Sequence, residues 1–472
     1  MNRKFLQGLG ILFAVVFSFV LTHELRAELR AGAAIADITP QQLPVSMTGS
    51  FQDRQATGVY DRLNARCLVL DDGKTSVAIV VCDSCLITRD IFDAAKQLVF
   101  EKTGMPTSRM MISATHTHTA ATTVALAQCH PDPAYLKYLT RQIAQSVIDA
   151  HSRLQPACVG WAVGKEAAEV NNRRWFVKPE GIRPDPFGRT DATVRMNPPR
   201  GSDLLIKPAG PIDPDVSILS VQHADGSPLS VLGNYSLHYV GGIPPNQLSA
   251  DYFGEFARQI RSRVDGTKSF VGIMSNGTSG DVNNYNFLAP RPRAAPFERV
   301  TAVANRIANV SFAAYEGIDH CGDHTLKMIE RTIDLGVRRP NESDVARAKN
   351  LLANAADPKR LNTDELYAQE TLRLADYPST VNIKLQALRI GDLGIVAIPC
   401  EVFAQIGLDI KEKSPFATTF TIALANGYNG YLPTPQQHAW GGYETWRSGW
   451  SYLEEDASTK ILSNVLEMLG EL

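Results

Sequence analysis

Three times this chain runs a short apolar strand into an acidic, glycine-containing turn and directly back into a second strand. Ala65–Leu70 and Val77–Cys82 flank Asp71-Asp72-Gly73-Lys74. Val216–Gln222 and Leu229–Asn234 flank Ala224-Asp225-Gly226, and Ile383–Ile390 and Leu393–Ile398 flank Gly391-Asp392. Asp-Gly favours the positive φ that tight hairpins need, so each pair predicts two neighbouring antiparallel strands. Helical periodicity lies between them. Ile91, Ala94, Ala95, Leu98 and Val99 recur at helix spacing, and Gly104 ends the run. Asp132-Pro133 caps a second helix with Leu136, Leu139, Ile143 and Val147 on one face. Residues 249–264 and 297–315 also read as helices. Strands interleaved with helices predict an α/β fold, with α+β as the alternative, built on a mixed β-sheet with flanking helices.

The length of 472 residues fits about three domains or one large one. Residues 178–211, rich in Pro, Gly and Arg, read as a long loop, and residues 341–374 as a charged helical insertion. A formal charge of −2 gives no electrostatic case for nucleic-acid binding. At the N-terminus, Arg3 and Lys4 precede an apolar run from Gly8 to Leu21, the pattern of a secretory signal peptide cleaved after Ala27. This predicts a secreted or periplasmic protein; an uncleaved signal would instead anchor it to a membrane. The oligomeric state is not legible. Seven cysteines leave an odd one in an exported chain. Cys82-Asp-Ser-Cys85 follows a buried-looking run and reads as packed thiols rather than redox or metal chemistry.

The chemistry-bearing residues cluster after apolar runs. His116 and His118 follow the strand Met110–Ala114, and on an extended chain residues two apart face the same side. They are either half of a metal site or a surface pair. His238 ends the second hairpin, where a structural histidine is the alternative. Glu401 follows the apolar run Gly394–Cys400, and a carboxylate there is costly unless paired or metal-bound. Imidazoles and a carboxylate at strand ends make a reasonable zinc set. Gly277-Thr-Ser-Gly280-Asp281-Val-Asn283-Asn284 brings backbone close to a ligand but lacks the pattern of a phosphate loop, and Ser279 is not in a nucleophile elbow. His320-Cys-Gly-Asp-His324 reads as a solvated loop, with a lesser metal site as the alternative.

Together these motifs resemble the neutral/alkaline non-lysosomal ceramidase family, in its N-terminal catalytic domain. Ala31-Gly-Ala-Ala-Ile-Ala-Asp37-Ile-Thr-Pro40 is similar to the family's opening A-G-x-x-x-x-D-I-T-P, and Ala114-Thr-His116-Thr-His118-Thr119 to its [AS]-T-H-T-H-S. Asn172-Arg173-Arg174, Ser249-Ala-Asp251-Tyr252, Gly280-Asp281-Val282-Asn283, Pro399-Cys-Glu401 and the span from Gly430-Tyr431 to Gly442-Tyr443-Glu444 follow in family order. The resemblance implies a zinc amidohydrolase with one Zn2+ per chain held by His116, His238, Glu401 and Tyr431. It implies that His118, Arg173 and Tyr443 polarise substrate or carry protons. It also implies a lipid N-acyl amide substrate and transient contact with a membrane surface. Two features depart from the family. Asn283 stands where ceramidases carry a serine, and the chain stops at Leu472 without their immunoglobulin-like C-terminal domain. Residues 28–472 are therefore read as one ceramidase-like catalytic domain whose motifs span His116 to Tyr443. The competing readings are an amidase or esterase for another acylated compound and a zinc-containing binding protein without turnover.

Overall fold

In the computed structural model, which describes residues 29–290, 293–320 and 325–472, the three turn-linked strand pairs form and seed two sheets. The first sheet contains β1 (Arg30–Asp37), β2 (Asn64–Asp71), β3 (Ser76–Cys82), β4 (Met110–Ala114), β5 (Gln155–Lys165), β6 (Asp215–His223), β7 (Pro228–Tyr235) and β8 (Val271–Asn276). Their order is β8-β7-β6-β5-β1-β2-β3-β4, with β3–β4 and β7–β8 parallel and the other pairs antiparallel. The second contains β9 (Leu326–Gly336), β10 (Thr380–Ile390), β11 (Leu393–Ile398) and β12 (Thr418–Ala423) in that order, with β11–β12 parallel.

Alternation gives each strand two buried faces. On β3, Val77, Ile79 and Val81 point into the layer between the sheets, while Ala78, Val80 and Cys82 pack with residues of helices Arg89–Thr103 and Pro133–Ser152. Leu393, Ile395 and Ala397 of β11 and Phe420 and Ile422 of β12 meet the first sheet across that layer. Val396 and Ile398 face the other way, toward helices Ala404–Lys413 and Ala457–Glu471. Two sheets thus pack face to face with helices outside. Each fully buried aliphatic side chain contributes about 1.5–3 kcal/mol.

Parallel neighbours cannot be joined by a tight turn and need a crossover. Helix Arg89–Thr103 joins β3 to β4, Asp251–Arg263 joins β7 to β8, and Ala404–Lys413 joins β11 to β12. The carboxyl ends of such strands are where α/β sheets present functional side chains. His116 follows β4, His238 follows β7 and Glu401 follows β11.

Part of the stretch expected as a long loop is ordered as strand: Arg174–Val177 pairs with Val194–Met196 and with Leu205–Pro208. These strands are too short, and too punctuated by Pro and Gly, to show alternation. The charged insertion forms two helices, Glu342–Ala353 and Thr363–Ala375, the second started by an Asn362–Glu365 capping box. The leader at 1–27 lies outside the described residues, as does most of His320–His324; His320 itself bonds Ser220 through Nε2 at 3.0 Å. Among the described residues no helix is long and apolar enough to cross a membrane.

Candidate metal centre and active site

The chain leaving β4 does not stay extended. His116 adopts φ 73°, and its N–H donates to the carbonyl of Ser84, just beyond β3. The expected same-side geometry of an extended His-x-His therefore does not apply. The imidazoles converge nonetheless, with His118 Nε2 3.2 Å from His116 Nε2. His238 enters from the end of β7, and its Nε2 lies 3.0 Å from that of His116. Asn276, at the end of β8, ties the two segments by donating to the carbonyls of Thr115 and His238.

Glu401 comes from the second sheet. With Val402 it forms a short strand parallel to Tyr431–Leu432, so Glu401 sits opposite Tyr431. The Gly280 N–H donates to Val402 at 2.8 Å, and a Cβ on Gly280 would stand 2.4 Å from the Glu401 carbonyl oxygen. Glycine is needed there because two backbones touch.

The ligand atoms of His116, His238 and Glu401 all lie within 4.8 Å of one another, and all three residues are buried. Both outer nitrogens are anchored: His116 Nδ1 sits 2.7 Å from the Cys85 carbonyl and His238 Nδ1 3.0 Å from that of Ser279. Such anchors turn the Nε2 atoms inward and fix the tautomer, as around bound metals. Glu401 Oε1 accepts from the Tyr428 hydroxyl at 2.9 Å, but Oε2 has no hydrogen-bond partner despite lying 3.3 Å from His116 Nε2. A buried carboxylate oxygen left in this way is costly without a cation. Burial and the neighbouring cations His116 and Arg173 push His238 well below the ordinary imidazole range, toward the neutral form a ligand needs. At His116 burial acts in the same direction, but Glu401 and Cys85 outweigh it and raise the group, a pull that a cation would replace. The donor set of two imidazoles and one carboxylate fits a divalent metal of the zinc type. Tyr431 lines the same cavity; burial and Glu401 raise its phenol well above the ordinary value, so its anionic form depends on a cation's charge.

The remaining expected residues surround this point. His118 lines the cavity, holds the Gly49 carbonyl through Nδ1 at 3.1 Å and stacks on Tyr239 at 3.9 Å. Gly49 has φ 105°, and a Cβ there would meet the His118 ring at 2.6 Å. Arg173 lies over the Tyr431 ring at 5.4 Å, with Nη1 3.3 Å from His238 Nε2 and Nη2 buried without a partner. Tyr443 stands edge-on to Tyr431, 5.8 Å between ring centroids. All seven sequence-derived residues therefore meet at one place, beside a cavity of about 100 Å³. Asn283 does not line that cavity; its Nδ2 donates to Asn197.

Sequence reasoning assigned no role to three supporting residues. Cys85 is a buried thiol whose Sγ lies 3.8 Å from His116 Nδ1, so the packed thiol also forms the wall of the site. Tyr428 holds Glu401. Glu444 bridges Arg173 at 2.8 Å and Arg174 at 2.6 Å, wholly buried. Glu444 carried a signal, being an acid beside Tyr443 in a chain with adjacent arginines at 173 and 174.

Residues 29–291 match the family described as neutral/alkaline non-lysosomal ceramidase, N-terminal. In structure the chain is similar to a ceramidase complexed with C2 (TM-score 0.70, 18% identity) and to the neutral ceramidase from Pseudomonas aeruginosa (TM-score 0.67, 19% identity). Each alignment covers 94% of this chain and 75% of the other. No curated protein matches it in sequence. The family is one of metal-dependent amide hydrolases acting on lipid amides, and its match extends over more than half of the sequence. The chain belongs to the neutral/alkaline non-lysosomal ceramidase family.

Proposed function

We propose that this protein is an exported, zinc-dependent amidohydrolase that cleaves the N-acyl amide of a ceramide-like lipid. The observation that carries the reading is the partnerless Glu401 Oε2 facing two inward-turned Nε2 atoms at the carboxyl ends of parallel strands. His116, His238, Glu401 and Tyr431 would hold the ion, which when bound supplies Lewis-acid activation of water and carbonyl. The chain's own residues supply the rest. Arg173 and Tyr443 donate to the oxyanion that develops on the carbonyl oxygen. His118, kept neutral by burial and by the charges of His116 and Arg54, accepts the proton released as water adds to the carbonyl carbon. It returns that proton to the amine nitrogen as the C–N bond breaks, leaving a carboxylic acid and a free amine. Phe51 and Trp450 stack at 5.7 Å in the wall of the cavity and give it an apolar surface for the acyl group.

Metal analysis and turnover test this reading. The purified protein is expected to carry close to one zinc and to hydrolyse N-acyl amides, and His116→Ala with Glu401→Ala is expected to abolish both. Full zinc retention in that double variant would overturn the site, and zinc-loaded protein inert on an amide and ester panel would favour a binding protein. Export predicts that secreted material begins at Glu28.

A further inference from the structure

Two sets of metal-type donors meet at His116. The first is His116, His238 and Glu401. The second is Cys85, His116 and His118, whose donor atoms also lie within 4.8 Å of one another. Only His116 belongs to both, and amide cleavage as described above makes no use of the thiol.

Local structure puts that thiol in place. β3 ends at Cys82, and Cys82-Asp-Ser-Cys85 turns back along the segment that follows β4. The Cys82 carbonyl accepts from Thr115 N–H, and the Ser84 carbonyl from His116 N–H. Cys82 packs in the apolar core, whereas Cys85 lines the metal-centre cavity beside His116 and His118. Cys85 is 2% exposed, with Sγ 3.8 Å from His116 Nδ1. The sequence reading of both thiols as packing alone therefore holds only for Cys82.

His116 Nδ1 is held 2.7 Å from the Cys85 carbonyl, so Nε2 is the nitrogen free to face an ion. His118 brings its own Nε2 to 3.2 Å from that atom, its Nδ1 being taken by the Gly49 carbonyl. An ion drawn toward the thiol gains Cys85 and His118 and gives up His238 and Glu401. Softness decides between the two: zinc accepts imidazole and carboxylate, and softer ions favour thiolate.

We propose that Cys85, His116 and His118 form a second seat at this centre, which takes a soft thiophilic cation, Cd2+, in exchange for zinc in the first. Binding releases the thiol proton to solvent. The bound ion occupies His118, the proton carrier of amide cleavage, so the cadmium form is inactive. The effect on turnover rests on the amidohydrolase reading; the seat does not.

The test titrates Cd2+ into zinc-loaded wild-type protein and into Cys85→Ser, His118→Gln, Cys158→Ser and Glu401→Ala. It counts both metals and follows the ultraviolet thiolate-to-cadmium absorption band and amide turnover. In the wild type one cadmium should enter as one zinc leaves, with the band growing as turnover falls. Cys85→Ser should abolish the band and lower cadmium affinity relative to zinc about tenfold or more. Cys85→Ala repeats that comparison, and circular dichroism checks the fold of each variant. His118→Gln should keep the band but weaken cadmium binding about tenfold or more. Cys158 does not line the cavity, so its variant should keep the band. Glu401→Ala should lose zinc and still show the band. Cadmium bound without a thiolate band, a band that survives both Cys85 variants, or cadmium added beside retained zinc overturns the proposal. A Cys85-dependent band in protein that cleaves no amide keeps the second seat and removes the amidohydrolase reading. Turnover with zinc but no band on adding cadmium does the reverse.

Discussion

Replacing Glu444 with alanine removes the carboxylate shared by two buried guanidiniums. Its oxygens accept from Arg173 Nε at 2.8 Å and Arg174 Nη1 at 2.6 Å, and all three side chains are at most 4% exposed. Arg174 keeps other acceptors in Gln437 and Gly441, whereas Arg173 loses its anionic partner. Breaking a buried ion pair by removing one partner costs about 3–5 kcal/mol. That is roughly two to four orders of magnitude in the folding equilibrium. Glu444→Gln keeps an acceptor but turns an amide NH2 toward one guanidinium, so its cost should be smaller, about 1.5–3 kcal/mol. Urea unfolding by two optical signals measures both, with the midpoint falling at constant slope. Burial raises the Glu444 carboxyl, but Arg174 and Arg173 outweigh it and hold it below its ordinary 4.5. A carboxyl lowered in the folded state stabilises above its unfolded value and loses that contribution as pH falls through the folded one. The gap between wild type and Glu444→Gln should therefore be flat from pH 8 to 5 and close below about 4.5. A loss under about 1 kcal/mol for Glu444→Ala, the range of exposed pairs, would refute the reasoning.

Three further outcomes are expected. Burial pushes Lys96 down to about 7 from 10.5, so the folded state opposes its charge, fully below pH 7 and less as pH rises to 10.5. The stability of Lys96→Met relative to wild type should accordingly be greatest near pH 7 and decline toward pH 10 in denaturation series. Tyr428→Phe leaves Glu401 Oε1 without its donor and should weaken zinc binding about 10–100-fold in chelator competition, with the fold retained by circular dichroism. Gly280→Ala forces a methyl against the Glu401 carbonyl and should cost about 1–3 kcal/mol in thermal or urea unfolding while lowering zinc affinity.

What the sequence made legible is what short-range physics decides. Asp72-Gly73 and Asp225-Gly226 placed their hairpins because Gly73 and Gly226 take positive φ and the flanking strands alternate or run apolar. Helix Pro133–Ser152 was readable from its Asp132 cap, whose side chain accepts from Ala134 N–H. The seven site residues were placed by family motifs rather than by spacing. The His116–His118 pair shows the difference: extended geometry predicts convergence, but the chain at His116 turns through a left-handed conformation to reach Ser84. Cys85, Tyr428 and Glu444 were not legible as parts of the site. Each acts on a residue at least 27 positions away, through a contact made by sheet packing and not by any local pattern.

Where the ligand candidates originate also says which packing matters. His116 and His238 lie inside the matched residues 29–291 and stand on the first sheet, whereas Glu401, Tyr431 and Tyr443 lie beyond them. Their convergence depends on how the second sheet sits on the first. That seating is made by the layer between the sheets, in which Val77, Ile79 and Val81 meet Leu393, Ile395, Phe420 and Ile422. Interiors packed to crystal-like density pass on displacements of a single methylene. A slip of β11 against β3 would carry Glu401 Oε2 away from the His116 and His238 nitrogens, which stand 3.3 and 3.7 Å from it. Gly280 and Asn276 oppose such a slip at the strand ends, one touching the Glu401 backbone and the other tying the two histidine segments. The apolar layer thus sets the geometry of a polar centre to which it contributes no ligand.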